Sequence, residues 1–166
     1  MKHVHWIGTG LSSLPGIRRL ANNLENLTIW NRTLEKAENS INHVNKTNVK
    51  AKKFDIDLIF KEVNPGDIVI SQLPAVRHPE IAKLCLEHNC HFASTSYLNP
   101  EILALNKYAK QQNLIFINEI GLDPGIDHFF SHLLVQDLKK LSSDNTEVVY
   151  ESYCGGFPAI PNDFKY

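Results

Sequence analysis

Cysteine is scarce in this 166-residue chain, which contains only Cys85, Cys90 and Cys154. Three thiols cannot all pair within one chain, and their spacing fits no zinc-ligand pattern. This scarcity excludes a disulfide-stapled secreted domain and a cysteine-based metal centre. We therefore expect a reducing, cytoplasmic setting.

The sequence also lacks a long apolar run and an excess of charge. No stretch reaches the roughly 20 apolar residues that a transmembrane helix needs, and the residues after Met1 do not form a signal peptide. The 17 basic residues nearly balance the 18 acidic ones, which gives a net charge of −1. Such a balance offers no electrostatic footprint for nucleic acid or an anionic membrane. We expect neither as a partner.

Short apolar runs alternate with longer amphipathic stretches over most of the chain. The runs predict six strands: His3–Ile7, Leu27–Trp30, Val49–Lys52, Asp67–Ser71, Cys90–Ser94 and Leu114–Asn118. The stretches between them predict five helices: Ser12–Asn23, Thr33–His43, Ile56–Val63, His78–His88 and Pro100–Gln112. This alternation predicts an α/β fold, namely a Rossmann-type doubly wound parallel sheet. Ligands of such sheets bind beyond the carboxyl ends of the strands.

Gly8 and Gly10 directly follow the first predicted strand, in the sequence HVHWIGTGLSSLPG. In a dinucleotide-binding turn the first glycine permits a tight turn, and the second lets the backbone approach a pyrophosphate. Ser13 stands where a third glycine is usual, and it is small enough to serve. Pro15 is tolerated in the first helical turn. A plain strand–helix turn is the alternative, but its place in the alternating pattern favours nucleotide binding.

The residues after the second predicted strand, Asn31-Arg32-Thr33, indicate which dinucleotide binds. An NAD site usually has an acidic residue there, which accepts a hydrogen bond from the ribose 2′-hydroxyl. Here Arg32 can pair with a 2′-phosphate, and Thr33 can donate to it. This pattern favours NADP over NAD. The alternative is a solvated Arg32 and a Thr33 that only caps the next helix.

Two further strand ends give weaker signals. Asp55 and Ile56 follow the third predicted strand, where they would face the adenine. Asp55 is equally well explained as a helix N-cap. The segment 71–74 ends the fourth strand, where its backbone is expected beside the nicotinamide ribose.

A second polar group follows the fifth and sixth predicted strands, in the segments STSY and NEIGLDPGIDH. In the second segment, glycines and a proline impose a defined backbone path on Glu119, Asp123, Asp127 and His128. The alternative explanation makes Asp127 a cap and Glu119 a surface charge.

A metal site is not expected here. His128 and His132 lie four residues apart on a predicted helix, but Phe129 occupies the position of the glutamate in a zincin helix.

The segments NRT, TSY, NEIGLDPGIDH and ESYCGGFPA resemble the saccharopine reductase family, the NADP-dependent, L-glutamate-forming saccharopine dehydrogenases. The resemblance runs through the whole chain and is most specific in GLDPGIDH and SYCGG. It implies NADP as cofactor and a small amino-acid substrate, and it leaves a homodimer open. It also implies a reaction: L-glutamate and 2-aminoadipate 6-semialdehyde form an imine, which is then reduced to saccharopine.

The resemblance further implies roles for individual residues. NADP would be bound by residues at the strand ends: Gly8, Thr9, Gly10, Leu11, Ser12, Asn31, Arg32, Thr33, Asp55, Ile56, Leu73, Thr95, Ser96, Leu122, Asp123 and Pro124. The substrate would contact Ser96, Tyr97 and Asp123. Asp123, Tyr97 and Cys154 are the candidate catalytic residues, which would hold the amine and handle protons. Cys154 is equally well explained as a small buried hydrophobe.

The resemblance and the pattern together predict two domains. Residues 1–125 would form the NADP-binding domain. After Pro124 a longer helix, Ile126–Leu141, and a last strand, Thr146–Ser152, are predicted. Residues 126–166 would then be the truncated start of an α/β substrate or dimerisation domain, because the loop CGGFPAIPNDFKY does not resemble a natural domain end.

Two departures from the family keep other functions open. The turn LSSLPG is unusual, and basic groups for the substrate carboxylates are not evident in the chain. A carboxynorspermidine-type reductase is one alternative. A non-catalytic NADP-binding or dimerisation fragment is the other.

Overall fold

The computed structural model describes residues 2–141 and 147–155. Six parallel strands form one sheet in the order β3-β2-β1-β4-β5-β6. The strands are β1 Val4–Ile7, β2 Leu27–Asn31, β3 Val49–Lys53, β4 Ile68–Ser71, β5 His91–Ser94 and β6 Phe116–Ile117. This order is that of a doubly wound Rossmann-type sheet, in which the strand order reverses between β1 and β4. The predicted α/β fold class is confirmed.

Five helices cover the two faces of this sheet: α1 Leu14–Asn23, α2 Leu34–Ile41, α3 Ile56–Glu62, α4 His78–Glu87 and α5 Pro100–Gln111. A sixth helix, α6 Ile126–Leu141, follows β6. Trp6 of β1 shares one core with Ile17 of α1, whereas the next residue, Ile7, shares another with Ile81 of α4. All four residues of β1 are buried, including the polar His5, as is typical of a central parallel strand that is covered on both faces.

The predicted element boundaries agree with the structure to within two residues, and α6 coincides with its prediction. Asn99 is the N-cap of α5, since its Oδ1 accepts from the amide of Ile102 at 3.0 Å. The strand predicted from Leu114 begins only at Phe116. The amide of Leu114 donates instead to the carbonyl of Ala109 at 2.8 Å, which holds this residue to the end of α5.

The last predicted strand, Thr146–Ser152, is wrong over 147–152, where the structure has no regular element. Thr146 itself lies outside the described residues. Strands need a neighbour for their backbone groups, and this segment is exposed, with Val149 79% accessible.

α1 approaches the sheet most closely at Gly16. A Cβ atom at this position would lie 3.1 Å from Cη2 of Trp6. The close helix–strand contact for which Ser13 was the sequence candidate is therefore made by Gly16, almost one turn later. Ser13 is buried in the preceding turn, where its hydroxyl donates to the carbonyl of Gly10 at 2.7 Å.

None of the helices in the described ranges combines the length and apolarity that crossing a membrane would require.

The last helix, α6, has no buried residue, and its side chains Phe129, Phe130 and Leu133 are all more than half exposed.

Candidate functional site

A cleft of about 690 Å³ opens at the carboxyl edge of the sheet, where the strand order reverses between β1 and β4. Ligands of doubly wound sheets bind at such a reversal. The cleft is lined by the ends of β1 to β4 and the residues that follow them: Ile7, Gly8, Thr9, Gly10, Trp30, Asn31, Arg32, Lys36, Phe54, Asp55, Ile56, Gln72, Leu73, Pro74 and Arg77.

The turn after β1 is held tightly between the neighbouring strands. The amide of Gly8 donates to the carbonyl of Trp30 at 2.8 Å, and the amide of Gln72 donates to the carbonyl of Ile7 at 2.8 Å. Gly8 has φ +102°, and a Cβ there would lie 2.9 Å from the carbonyl oxygen of Gln72. Only glycine fits this position without strain.

The residues after Gly8 fit a pyrophosphate. The hydroxyl oxygen of Thr9 is buried and has no hydrogen-bond partner among the described residues. At Gly10 a Cβ would meet nothing closer than the hydroxyl of Ser13 at 3.7 Å, so space is open above the backbone. Leu11 and Ser12 follow in a single 3₁₀ turn and are exposed, with Leu11 94% accessible. A phosphate oxygen would satisfy the Thr9 hydroxyl.

The end of β2 presents a polar, cationic surface to the same cleft. Arg32 lines the cleft, and the described residues place no carboxylate within 4.0 Å of its guanidinium. Thr33 occupies the N-cap position of α2, yet its hydroxyl makes no capping hydrogen bond. The alternative interpretation of Thr33 as the N-cap of the next helix is therefore correct for its position, although its side chain contributes no capping bond.

Asp55 serves as a cap and also lines the cleft. Its Oδ1 accepts from the amide of Leu58 at 2.9 Å, which caps α3. With Phe54 and Ile56 it forms the cleft wall after β3. The two explanations that the sequence left open are compatible, because one carboxylate oxygen is sufficient for the cap.

A hydrogen bond joins the cleft to the residues that follow β5. The hydroxyl of Thr95 donates to Oε1 of Gln72 at 3.0 Å. Gln72, Leu73 and Pro74 line the cleft after β4. This bond places Thr95 beside the cleft, although Thr95 and Ser96 do not line it.

Beyond Thr95 lies a second polar cluster, formed by Tyr97 and the loop after β6. The hydroxyl of Tyr97 donates to Oδ1 of Asp123 at 2.5 Å. The loop is tied to the Tyr97 turn at two points: the amide of Glu119 donates to the carbonyl of Ser96 at 3.2 Å, and the amide of Leu98 donates to Oε1 of Glu119 at 3.0 Å. Glu119 is thus a partly exposed charge that also accepts a hydrogen bond from the turn after Tyr97.

The pKa values of the cluster follow from these bonds. The hydrogen bond to Asp123 raises the pKa of Tyr97 to about 12. The same bond, followed by one to the thiol of Cys154, lowers the pKa of Asp123. The bond to Asp123 raises the pKa of Cys154. At neutral pH the cluster thus contains an ionised carboxylate between a protonated phenol and a protonated thiol.

Cys154 is exposed and lies beside Asp123. The interpretation of Cys154 as a small buried hydrophobe is therefore wrong. Cys85 and Cys90 are the buried thiols, and burial raises the pKa of both.

Acidic residues dominate the surroundings of the cluster. Nδ1 of His128 lies 3.8 Å from Glu119, and Nε2 lies 3.6 Å from Asp127. Asp127 also accepts from the amide of Gly125 at 2.7 Å, but it lies inside the first turn of α6 and not at the N-cap position. Among the described residues, no group of three or more His, Cys, Asp or Glu side chains is arranged so that it could hold a metal ion. Leu122 and Pro124 flank Asp123 in this loop, and the Asp123–Pro124 peptide bond is cis.

The sequence did not indicate two charged residues of the cleft, Lys36 and Arg77. Lys36 lies three residues beyond Thr33 and Arg77 three beyond Pro74, so both are in the first turn of an element that leaves the carboxyl edge. Such positions regularly face a bound ligand, and this offset was the available signal. Gln72 belongs to the segment 71–74 that was expected there, but its bond to Thr95 depends on tertiary contact.

These features together define a Rossmann-type dinucleotide-binding domain. A family model, the saccharopine dehydrogenase NADP-binding domain, matches residues 4–117. The chain belongs to this family, and its cofactor is NADP.

Known relatives support the family assignment. Saccharopine dehydrogenase [NADP(+), L-glutamate-forming] of Schizosaccharomyces pombe is 35% identical over 98% of this chain and 36% of its own length. Alpha-aminoadipic semialdehyde synthase, mitochondrial, of Mus musculus is 35% identical over 95% of this chain and 17% of its own length. The apo structure of the L-Glu-forming saccharopine dehydrogenase of Saccharomyces cerevisiae matches with a TM-score of 0.70 and 26% identity, over 84% of this chain and 32% of that one. The chain thus spans about a third of the length of the saccharopine dehydrogenases it matches.

Proposed function

We propose that this chain is the NADP-binding part of an oxidoreductase that interconverts saccharopine with L-glutamate and 2-aminoadipate 6-semialdehyde. The observation that carries this proposal is the hydrogen bond between Tyr97 and Asp123, next to Cys154. It assembles an ionised carboxylate and two protonated groups beside a dinucleotide cleft. A plain NADP-binding module has no need of such an arrangement.

The cofactor would lie along the cleft from β2 to β4. Arg32 and Thr33 bind the 2′-phosphate, Asp55 and Ile56 face the adenine, and the turn at Gly10 binds the pyrophosphate. Leu73 and Thr95 lie beside the nicotinamide half, as do Ser96 and the loop 122–124. When bound, NADP supplies the hydride that reduces a carbon–nitrogen bond and accepts one in the reverse direction.

Asp123 and Tyr97 then act on the substrate nitrogen. The Asp123 carboxylate accepts a hydrogen bond from the protonated imine or from the product ammonium, which orients the reacting carbon toward the cofactor. Tyr97 holds that carboxylate in place, and with Ser96 it contacts the amino-acid part of the substrate. The Cys154 thiol is a further proton donor beside the same carboxylate.

The wider assignments belong to the same proposal. Residues 126–166 would begin a substrate or dimerisation domain, consistent with the exposed apolar side chains of α6. A homodimer and a cytoplasmic location are further parts of this proposal.

One observation favours a second function, NADP binding without turnover. Within 4.0 Å of the carboxylates of Glu119, Asp123 and Asp127, the described residues place no lysine or arginine nitrogen, and only His128 approaches. A dicarboxylic amino acid needs cationic groups for its carboxylates. Basic groups from elsewhere would then be necessary for catalysis.

Two measurements on this chain separate the candidates. NADPH fluorescence titration reports binding, and the absorbance of the reduced nicotinamide reports turnover of NADP with saccharopine. We expect binding, and turnover that Asp123→Asn abolishes while Asp137→Asn, a matched change on α6, leaves it unchanged. Binding without turnover would favour the non-catalytic function. Turnover of carboxynorspermidine in place of saccharopine would reassign the substrate.

A further inference from the structure

Lys36 and Arg32 both line the cleft and are four residues apart in the chain. Arg32 follows β2, and Lys36 lies in the first turn of α2, where its amide donates to the carbonyl of Thr33 at 3.1 Å. Both side chains are exposed. Two cations thus line the cleft where the chain passes from β2 into α2.

Arg32 and Lys36 differ from the third cation that lines the cleft in having no carboxylate partner among the described residues. Arg77, the other cation that lines the cleft, lies 2.8 Å from Glu80. In the described ranges, no carboxylate lies within 4.0 Å of the Arg32 or Lys36 nitrogens. The one carboxylate that lines the cleft, Asp55, already accepts from the amide of Leu58.

We propose that Lys36 is a second cation for the 2′-phosphate of NADP and a determinant of the preference for NADP over NAD. A phosphate monoester carries a charge of roughly −1.5 to −2 near neutral pH, so one guanidinium leaves part of it unbalanced. Arg32 binds two of its oxygens as a planar fork, and Lys36 adds a compact point charge. This inference rests on the proposed placement of the 2′-phosphate at Arg32.

The test measures dissociation constants of NADPH and NADH by nicotinamide fluorescence for Lys36→Met. We expect the constant for NADPH to rise about five-fold and that for NADH to change little, because both cations are exposed and partly screened. The matched control is Lys61→Met on α3, which removes the same charge from a lysine that does not line the cleft. We expect this control to leave both constants unchanged.

Further variants keep the test decisive. Lys36→Gln repeats the charge removal with a polar side chain, and Lys36→Arg should restore the preference for NADPH. If both cations touch one phosphate, the double variant Arg32→Met/Lys36→Met should lose less than the sum of the two single losses. In a competition assay, Lys36→Met should weaken 2′,5′-ADP and leave 5′-AMP unaffected.

Three outcomes would overturn the inference. An unchanged constant for NADPH in Lys36→Met, with a wild-type chain that still prefers NADPH, would remove Lys36 and leave the placement at Arg32 intact. Equal weakening of NADPH and NADH would make Lys36 a general attractor of the cofactor. A wild-type chain without any preference would overturn the placement of the 2′-phosphate together with the role of Lys36.

Discussion

The hydroxyl of Tyr97 donates to Oδ1 of Asp123 at 2.5 Å and joins the turn after β5 to the loop after β6. The two residues are 26 positions apart in the chain. Their bond is made where the two strands end together at the carboxyl edge of the sheet. It couples the titration of one group to that of the other.

We expect Asp123→Asn to return the titration of Tyr97 to an ordinary pH. In the wild-type chain the phenol has a pKa of about 12, because ionisation would break its bond to the Asp123 carboxylate. Without that carboxylate, one more tyrosine should ionise near pH ~10. The measurement is tyrosinate absorbance between about pH 9 and pH 11.

Tyr97→Phe is the reference for this titration, since it removes the affected phenol. In the Tyr97→Phe background, Asp123→Asn should change nothing. Superimposed curves for the wild-type chain and Asp123→Asn would show that the bond does not control Tyr97.

Arg32→Ala should reduce the preference for NADP. We expect NADPH binding to weaken by roughly 1.5–3 kcal/mol, the scale of a hydrogen bond to a charged group, and NADH binding to change little. Fluorescence titration of both cofactors provides the measurement. Equal losses for NADPH and NADH would show that Arg32 does not read the 2′-phosphate.

Gly8 and Gly10 should respond differently to the same substitution. Gly8→Ala forces a side chain into φ +102° and against the Gln72 carbonyl, so we expect a loss of about 2–4 kcal/mol in the free energy of unfolding. Gly10 has ordinary extended backbone, φ −66° and ψ 166°, and Gly10→Ala should keep its stability. The added methyl should nevertheless weaken NADPH binding by about ten-fold, because it occupies the approach to the pyrophosphate.

Urea unfolding and NADPH titration on both variants check this contrast. A stable Gly8→Ala chain would contradict the turn geometry. Full NADPH affinity in Gly10→Ala would move the pyrophosphate away from the turn.

His5 should make the fold sensitive to mild acid. It is 3% exposed, its Nδ1 accepts from the indole of Trp30 at 3.2 Å, and burial lowers its pKa to about 4. Between the ordinary pKa of roughly 6.5 and about 4, the unfolded chain binds the proton and the folded chain does not. Its stabilisation is thus present above about pH 6.5 and is lost as the pH falls toward 4.

We expect the free energy of unfolding to fall by about 2 kcal/mol from His5 between pH 7.5 and pH 5. Urea unfolding at both pH values measures this loss, and His5→Gln should remove most of it. The exposed residue His132 provides the control, since His132→Gln should leave the pH dependence as in the wild-type chain. An unchanged slope in His5→Gln would assign the acid sensitivity to other groups, such as His3 and His78, whose pKa values burial also lowers.

Local patterns were sufficient for the fold and for half of the cleft. Strand residues such as Ile7 and Ile29 are apolar because both faces of the sheet are covered. The strands are therefore recognisable in the sequence as short, mostly apolar runs. The turn at Gly8 and the cationic end of β2 also lie within a few residues of a strand end. Their position in the cleft therefore follows from the topology.

Other features depended on contacts between distant segments. The sequence indicated Ser13 as the residue of α1 that approaches the sheet closely, but the structure has Gly16 there. The ring of Trp6 occupies the space that a side chain at position 16 would need. The strand predicted over 146–152 is absent over residues 147–152. An apolar run with no neighbouring strand has no hydrogen-bond partners for its backbone amides and carbonyls. Cys154 is exposed and lies beside Asp123, whereas Cys85 and Cys90 are buried, and the sequence did not distinguish these environments.

The amino-acid sequence by itself determined the alternation of strands and helices, the glycine turn and the family to which the chain belongs. These are properties of short segments, set by side-chain periodicity and backbone freedom. Only the tertiary structure decided that Tyr97 meets Asp123, that Thr95 bonds Gln72, and that Lys36 shares a cleft with Arg32. The first two pairings join segments that follow neighbouring strands of the sheet, and these segments are more than 20 residues apart in the chain, so no local pattern relates them.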